Sequence, residues 1–211
     1  MALKKKQTTQ QIESKIFEDY IQAQIVFKDI NNSEDLRVDA LEFLISEQSI
    51  NHMLKLTNML FGENKIEDHI YIDIIFNSFH GKNKTDKDYD ELLKTLQSTN
   101  VYLRNMAIKY LQESNEEAIF FIEKLLKNDD KDIRIFALNI LGDVKYDKSI
   151  DILRYFLVLE KDINVIMTAV DYIGEIGSID DIALLESLKL EHKDNQYLIF
   201  GVDLAIDKIK G

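Results

Sequence analysis

The chain has 211 residues, 45% hydrophobic and 30% charged, so it can bury a sizeable core and disorder is excluded as its main state. Its 38 acids against 26 bases leave a net charge of −12, which opposes phosphate backbones and anionic membrane surfaces and favours a basic protein partner. The absence of cysteine excludes disulfides and thiolate zinc sites, and no apolar run approaches the about 20 residues needed to span a bilayer.

Proline is absent and only seven glycines occur, so few positions oppose helix, and the whole chain is predicted to be helical. Residues 1–8 read as a disordered basic N-terminus. Lys4, Lys5 and Lys6 are not followed by the apolar stretch of a secretory signal, and a cytoplasmic location is expected. Residues 9–30 are expected to form an N-terminal capping helix, with Ile12, Ile16, Phe17, Tyr20, Ile21 and Ile25 on one apolar stripe over 9–29. Asn31-Asn32-Ser33 breaks it, and the Ser33 hydroxyl can cap the next helix.

From residue 33 to 211 the chain repeats. Leu36-Arg37-Val38-Asp39-Ala40-Leu41-Glu42-Phe43-Leu44 returns as Leu103 to Leu111 and as Ile133 to Leu141. A fourth copy, Val165 to Gly174, keeps the apolar frame around Ala169 but has Ile166 in place of the arginine. The small residue steps by 67, 30 and 32 positions from Ala40 through Ala107 and Ala137 to Ala169, and a further 32 reaches Gly201. The double step implies a degenerate unit within Ile70–Phe79, and its run Ile70–Phe76 is the one β-like stretch, although its apolar spacing also fits a buried helix. Second helices are predicted at 47–60, 86–98, 115–127, 147–159 and 179–190, and Gly81–Lys87 is predicted to be a disordered or extended loop. Self-similarity at such a period marks a solenoid, in which each unit buries its apolar face only against its neighbours.

The stretch Asp130-Lys131-Asp132-Ile133-Arg134, followed by Ala137 and Leu141-Gly142, resembles the second helix of a HEAT repeat, including the short bacterial form related to phycobilisome-lyase-type repeats. The resemblance covers residues 33–209. It implies an all-α, right-handed α-solenoid of about five to six helix pairs, with the arginine-bearing helices lining the concave side, and it implies no chemistry. It also gives Arg37, Arg104 and Arg134 a structural role, each guanidinium pairing with an acid or carbonyl of an inter-repeat turn such as Asp35, Asp130 or Asp132.

Helical phase places residues two before, two after and six after the small residue on one stripe. In the last three units these are Ile135, Asn139 and Asp143; Met167, Asp171 and Glu175; and Ile199, Asp203 and Asp207. An apolar edge beside an acidic edge is what a groove for a basic amphipathic helix or tail looks like. Catalytic patterns are thin. His52, His69, His80 and His192 form no metal-ligand spacing, and no Gly-rich phosphate loop or nucleophile elbow occurs, so no cofactor or metal is expected. The expectation is a non-enzymatic protein–protein interaction scaffold or adaptor that holds a basic protein segment on its acidic concave face, with no nucleic acid and no membrane as partner. The alternatives are a HEAT-like DNA-alkylation-repair-type nucleic-acid binder, which would need a basic aromatic concave surface and a catalytic carboxylate, and a bilin lyase-like enzyme, suggested by repeat resemblance alone.

Overall fold

A computed structural model of the protein describes residues 17–114, 118–144 and 146–211. Among them are twelve α-helices and no strand. They are α1 Tyr20–Lys28, α2 Glu34–Glu47, α3 Ile50–Leu60, α4 His69–Asn77, α5 Asp86–Leu96 and α6 Val101–Gln112. Then come α7 Ile119–Leu125, α8 Lys131–Asp143, α9 Ser149–Leu159, α10 Ile163–Ile176, α11 Ile182–Glu191 and α12 Gln196–Lys210. Local chemistry sets the starts. Asp19, Ser33, Ser49, Asn100, Asp130, Asp162 and Asn195 hold extended backbone and accept from the first free amides of the helices that follow.

The even-numbered helices stack in chain order, α2 on α4, α4 on α6, α6 on α8, α8 on α10 and α10 on α12. On the other side of this layer α5, α7, α9 and α11 each pack on the helix that follows. The result is an all-α solenoid with a ribbon-like core. Ala40, Ala107, Ala137 and Ala169 are fully buried in it because a larger side chain would hold neighbouring helices apart. At the C-terminal end the approach is closest: a Cβ on Gly174 would lie 2.9 Å from the Ala205 Cα, and one on Gly201 would overlap the Met167 thioether. The degenerate unit is α4, whose Tyr71, Ile72, Ile75 and Phe76 are buried.

Three expectations are corrected. Asp19 caps α1, so the described part of the opening helix begins at Tyr20 and excludes Phe17. Residues 1–8 and 9–16, including Ile12 and Ile16, lie outside the described residues. Ile21 and Ile25 are exposed, and α1 instead buries Ala23 and Phe27 against α2 and α4, where Phe27 meets Tyr71 edge-on at 5.4 Å. The segment 81–85 is anchored. Gly81 adopts φ 74°, a left-handed turn that suits glycine, Lys82 Nζ donates to the Ile45 carbonyl, and Thr85 and Asp88 form a capping box that starts α5 at Asp86. Lysine density signalled a solvated loop, but Lys82 and Lys84 reach back to a carbonyl and to the Tyr110 ring.

Candidate functional site

The arginines sit where successive units meet. Arg37 Nε donates to the Phe27 carbonyl at 3.0 Å and lies over the Tyr71 ring at 4.4 Å. Arg104 Nη1 donates to the Ser98 carbonyl at 2.8 Å, with its guanidinium over the Phe136 ring. Arg134 forks onto Glu160, Nε to Oε2 at 2.6 Å and Nη2 to Oε1 at 3.1 Å, and its Nη1 donates to the carbonyls of Asn128 and Asp129. The partners are thus carbonyls, rings and Glu160 rather than the carboxylates of Asp35, Asp130 or Asp132. Asp130 and Asp132 stand at the start of α8, and the Asp130 side chain is taken up by capping it.

A second ion pair has no counterpart in the repeat pattern. Arg154 on α9 forks onto Asp181 at 2.5 and 3.0 Å, and Asp181 is 2% exposed. Asp181 also accepts from the Ser178 amide. The Arg154 guanidinium therefore holds the Asp181 carboxyl below the usual carboxylate range. At Glu160 burial pushes the carboxyl up, but Arg134 and the amides of Asp162 and Lys161 outweigh it and the net shift is downward. The adjacent acids Asp180-Asp181 read as ordinary helix-start carboxylates, and no equivalent of Arg154 in another unit draws attention to it.

The nine stripe residues fall on α8, α10 and α12, but the two edges differ. Asp143, Asp171, Glu175, Asp203 and Asp207 are all exposed. Asp143 accepts from Gln112 Nε2 of α6, Glu175 lies 3.8 Å from Lys208, and Asp203 lies 2.6 Å from Lys189. Asp171 and Asp207 have no ion pair among the described residues. The apolar edge is not an open row. Met167 is 7% exposed and packs on Gly201, while Ile135 and Ile199 are half-buried. Asn139 is also half-buried and its Oδ1 accepts from Tyr172 at 3.4 Å. Met167 is covered because α12 approaches it closely at Gly201. On α12 the exposed apolar side chains are instead Tyr197, Phe200 and Leu204, one stripe at i, i+3 and i+7.

The opposite layer carries a cleft of about 780 Å³ between α7 and α9. Leu126, Ile152, Tyr155, Phe156 and Leu159 form its apolar lining, and the Arg134–Glu160 pair closes one end. The histidines are dispersed. His52 meets the Tyr20 hydroxyl, His69 stacks on Tyr102 with ring centroids 3.5 Å apart, and His80 lies 3.3 Å from Glu113. Tyr102 donates to Asp73 Oδ1 at 2.6 Å, and this bond, with burial, pushes its hydroxyl up to about 12. Among the described residues no group of three or more His, Asp or Glu is placed to hold a metal, and no helix is long and apolar enough to cross a membrane.

Stacked helix pairs with arginine-anchored turns are what a repeat family would produce, and residues 119–198 match HEAT repeats. This stretch of the chain consists of HEAT repeats. The matched repeats run from α7 into the start of α12, so they contain the Arg134 and Arg154 ion pairs and most of the acidic edge. HEAT repeats are in general protein-interaction scaffolds. No curated protein matches the chain.

Proposed function

We propose that the protein is a non-enzymatic interaction scaffold that holds a basic amphipathic segment of another protein across α10 and α12. The observation that carries this reading is the juxtaposition on one layer of the exposed carboxylates Asp171, Glu175, Asp203 and Asp207 with the exposed stripe Tyr197, Phe200 and Leu204. The pairs Glu175–Lys208 and Asp203–Lys189 do not block it, because exposed ion pairs are worth about 0–1 kcal/mol and exchange readily for an incoming lysine. The lack of cysteine is compatible with a reducing compartment, and we place the protein in the cytoplasm.

A lysine-rich amphipathic helical peptide, titrated by calorimetry, tests the reading. Binding should weaken as salt rises, since exposed charges are screened beyond about 8–10 Å at 0.1–0.15 M. Replacing Asp171, Glu175, Asp203 and Asp207 together by Lys should abolish it, with the circular dichroism spectrum unchanged. Duplex DNA under the same conditions should not bind. Full affinity in the quadruple variant would remove the segment from this face.

A further inference from the structure

The described stack ends at α12, which packs on α10 and α11. On its remaining face Tyr197, Phe200 and Leu204 are 59%, 64% and 47% exposed. The exposed carboxylates Asp203 and Asp207 stand on the same helix, and the C-terminal ends of α10 and α12 add the negative pole of the helix dipole. From the start of α10 to the end of α12, nine acids stand against four lysines, an excess that survives the pairing of Asp181 with Arg154. One segment of the chain has the opposite character. Residues 1–16 carry Lys4, Lys5, Lys6 and Lys15 against the single acid Glu13, a net +3 that leaves −15 on the rest of the chain. Their Ile12 and Ile16 have the i, i+4 spacing of Phe200 and Leu204.

Where this segment is rooted decides which α12 it meets. Phe17, the next residue, is buried and its ring meets Phe43 of α2 at 5.9 Å, so the segment leaves from the α2 end of the stack. Along the stack α12 lies five helices beyond α2, roughly 40–50 Å at 8–10 Å per step. Lys6 stands eleven residues before Phe17, at most about 40 Å away at full extension. The lysines therefore approach their own α12 only near full extension, which costs chain entropy, whereas the α12 of another copy imposes no such limit. We propose that residues 1–16 of one copy dock on the α12 face of a second copy, Ile12 and Ile16 against Phe200 and Leu204, and the lysines against Asp203 and Asp207. The segment supplies the charge that lets two otherwise repelling bodies associate. This rests on the reading of the acidic face as one that holds a basic amphipathic segment, and it names that segment.

Sedimentation of the full chain from low micromolar to submillimolar concentration tests it, beside two full-length variants. The first carries Lys4→Glu, Lys5→Glu and Lys6→Glu, and the second carries Asp203→Lys and Asp207→Lys, both exposed positions whose change should leave the circular dichroism spectrum unaltered. The natural chain should self-associate reversibly, and each variant alone should do so several-fold more weakly. An equimolar mixture of the two should recover association, because the second variant keeps the basic segment and the first keeps the acidic face. A natural chain that stays monomeric throughout, or a mixture that associates no better than its components, overturns the inference. Calorimetry of the first variant with the lysine-rich amphipathic peptide separates this outcome from failure of the underlying reading. Peptide binding beside a monomeric natural chain rejects only the N-terminal occupant, whereas no peptide binding rejects the holding face as well.

Discussion

Asp181 shows how much a single side chain can carry between two units. Its carboxylate accepts the Arg154 fork and the Ser178 amide while almost excluded from water. Arg154→Met leaves that charge buried without its partner and should cost roughly 2–3 kcal/mol in a urea unfolding experiment. Asp181→Asn keeps the capping geometry and should cost about 1–2 kcal/mol. The two variants also differ from the natural chain in acid. Because the folded Asp181 carboxyl lies below its unfolded value, its contribution is fully present above about pH 4 and is lost as pH falls through the lower folded value. Asp181→Asn should therefore lose less stability on acidification than the natural chain, and equal acid slopes would contradict the assignment. Tyr102 gives the alkaline counterpart. Its folded value of about 12 means that the bond to Asp73 contributes below about pH 10 and fades as pH rises toward 12. Tyr102→Phe should cost about 1 kcal/mol at pH 7 and flatten the loss of stability above pH 10. Neither pair was legible from the sequence, since Arg154–Asp181 and Asp73–Tyr102 join residues 27 and 29 apart in different units, and helical phase orders side chains only within one helix.

At the scale of elements, the close approach of α10 and α12 reverses an ordinary rule. Glycine inside a helix is usually improved by alanine, by about 1 kcal/mol. At Gly174 the added Cβ would meet the Ala205 backbone at 2.9 Å, and backbone does not move cheaply. Gly174→Ala should therefore destabilise by about 1–3 kcal/mol in thermal or urea unfolding. Gly201→Ala meets only the flexible end of Met167 and should cost distinctly less. Equal effects at both positions would show that the helices adjust as rigid bodies. Much of this layer could be read in advance. The small residue of each unit located the stacked helices, including the poorly matching α4, and Ser33 marked the start of α2 by its capping chemistry. The misplacements share one cause. Periodicity gives the relative phase of Ile21, Ile25 and Met167 on their helices, but which phase is covered depends on a neighbouring helix that the local sequence does not name.

For the molecule as a whole, stacking without a globular centre leaves two long layers of surface with different character. The even-numbered helices present carboxylates beside the α12 stripe, whereas α7 and α9 present a cleft with an apolar lining. Sequence phase found the carboxylates of the first surface because polar side chains at the position six after the small residue remain outside in each of the last three units. It missed Tyr197, Phe200 and Leu204, which lie off the expected stripe on α12, where no further described helix covers them. The cleft left no sequence signal because it arises between helices of two units rather than from a pattern within one. The most direct measurement is amide hydrogen exchange of the full chain with and without the lysine-rich amphipathic peptide. Slowed exchange confined to α10 and α12 is the expected result. Protection of α7 and α9 instead, or none at saturating peptide, contradicts the acidic face as the holding surface.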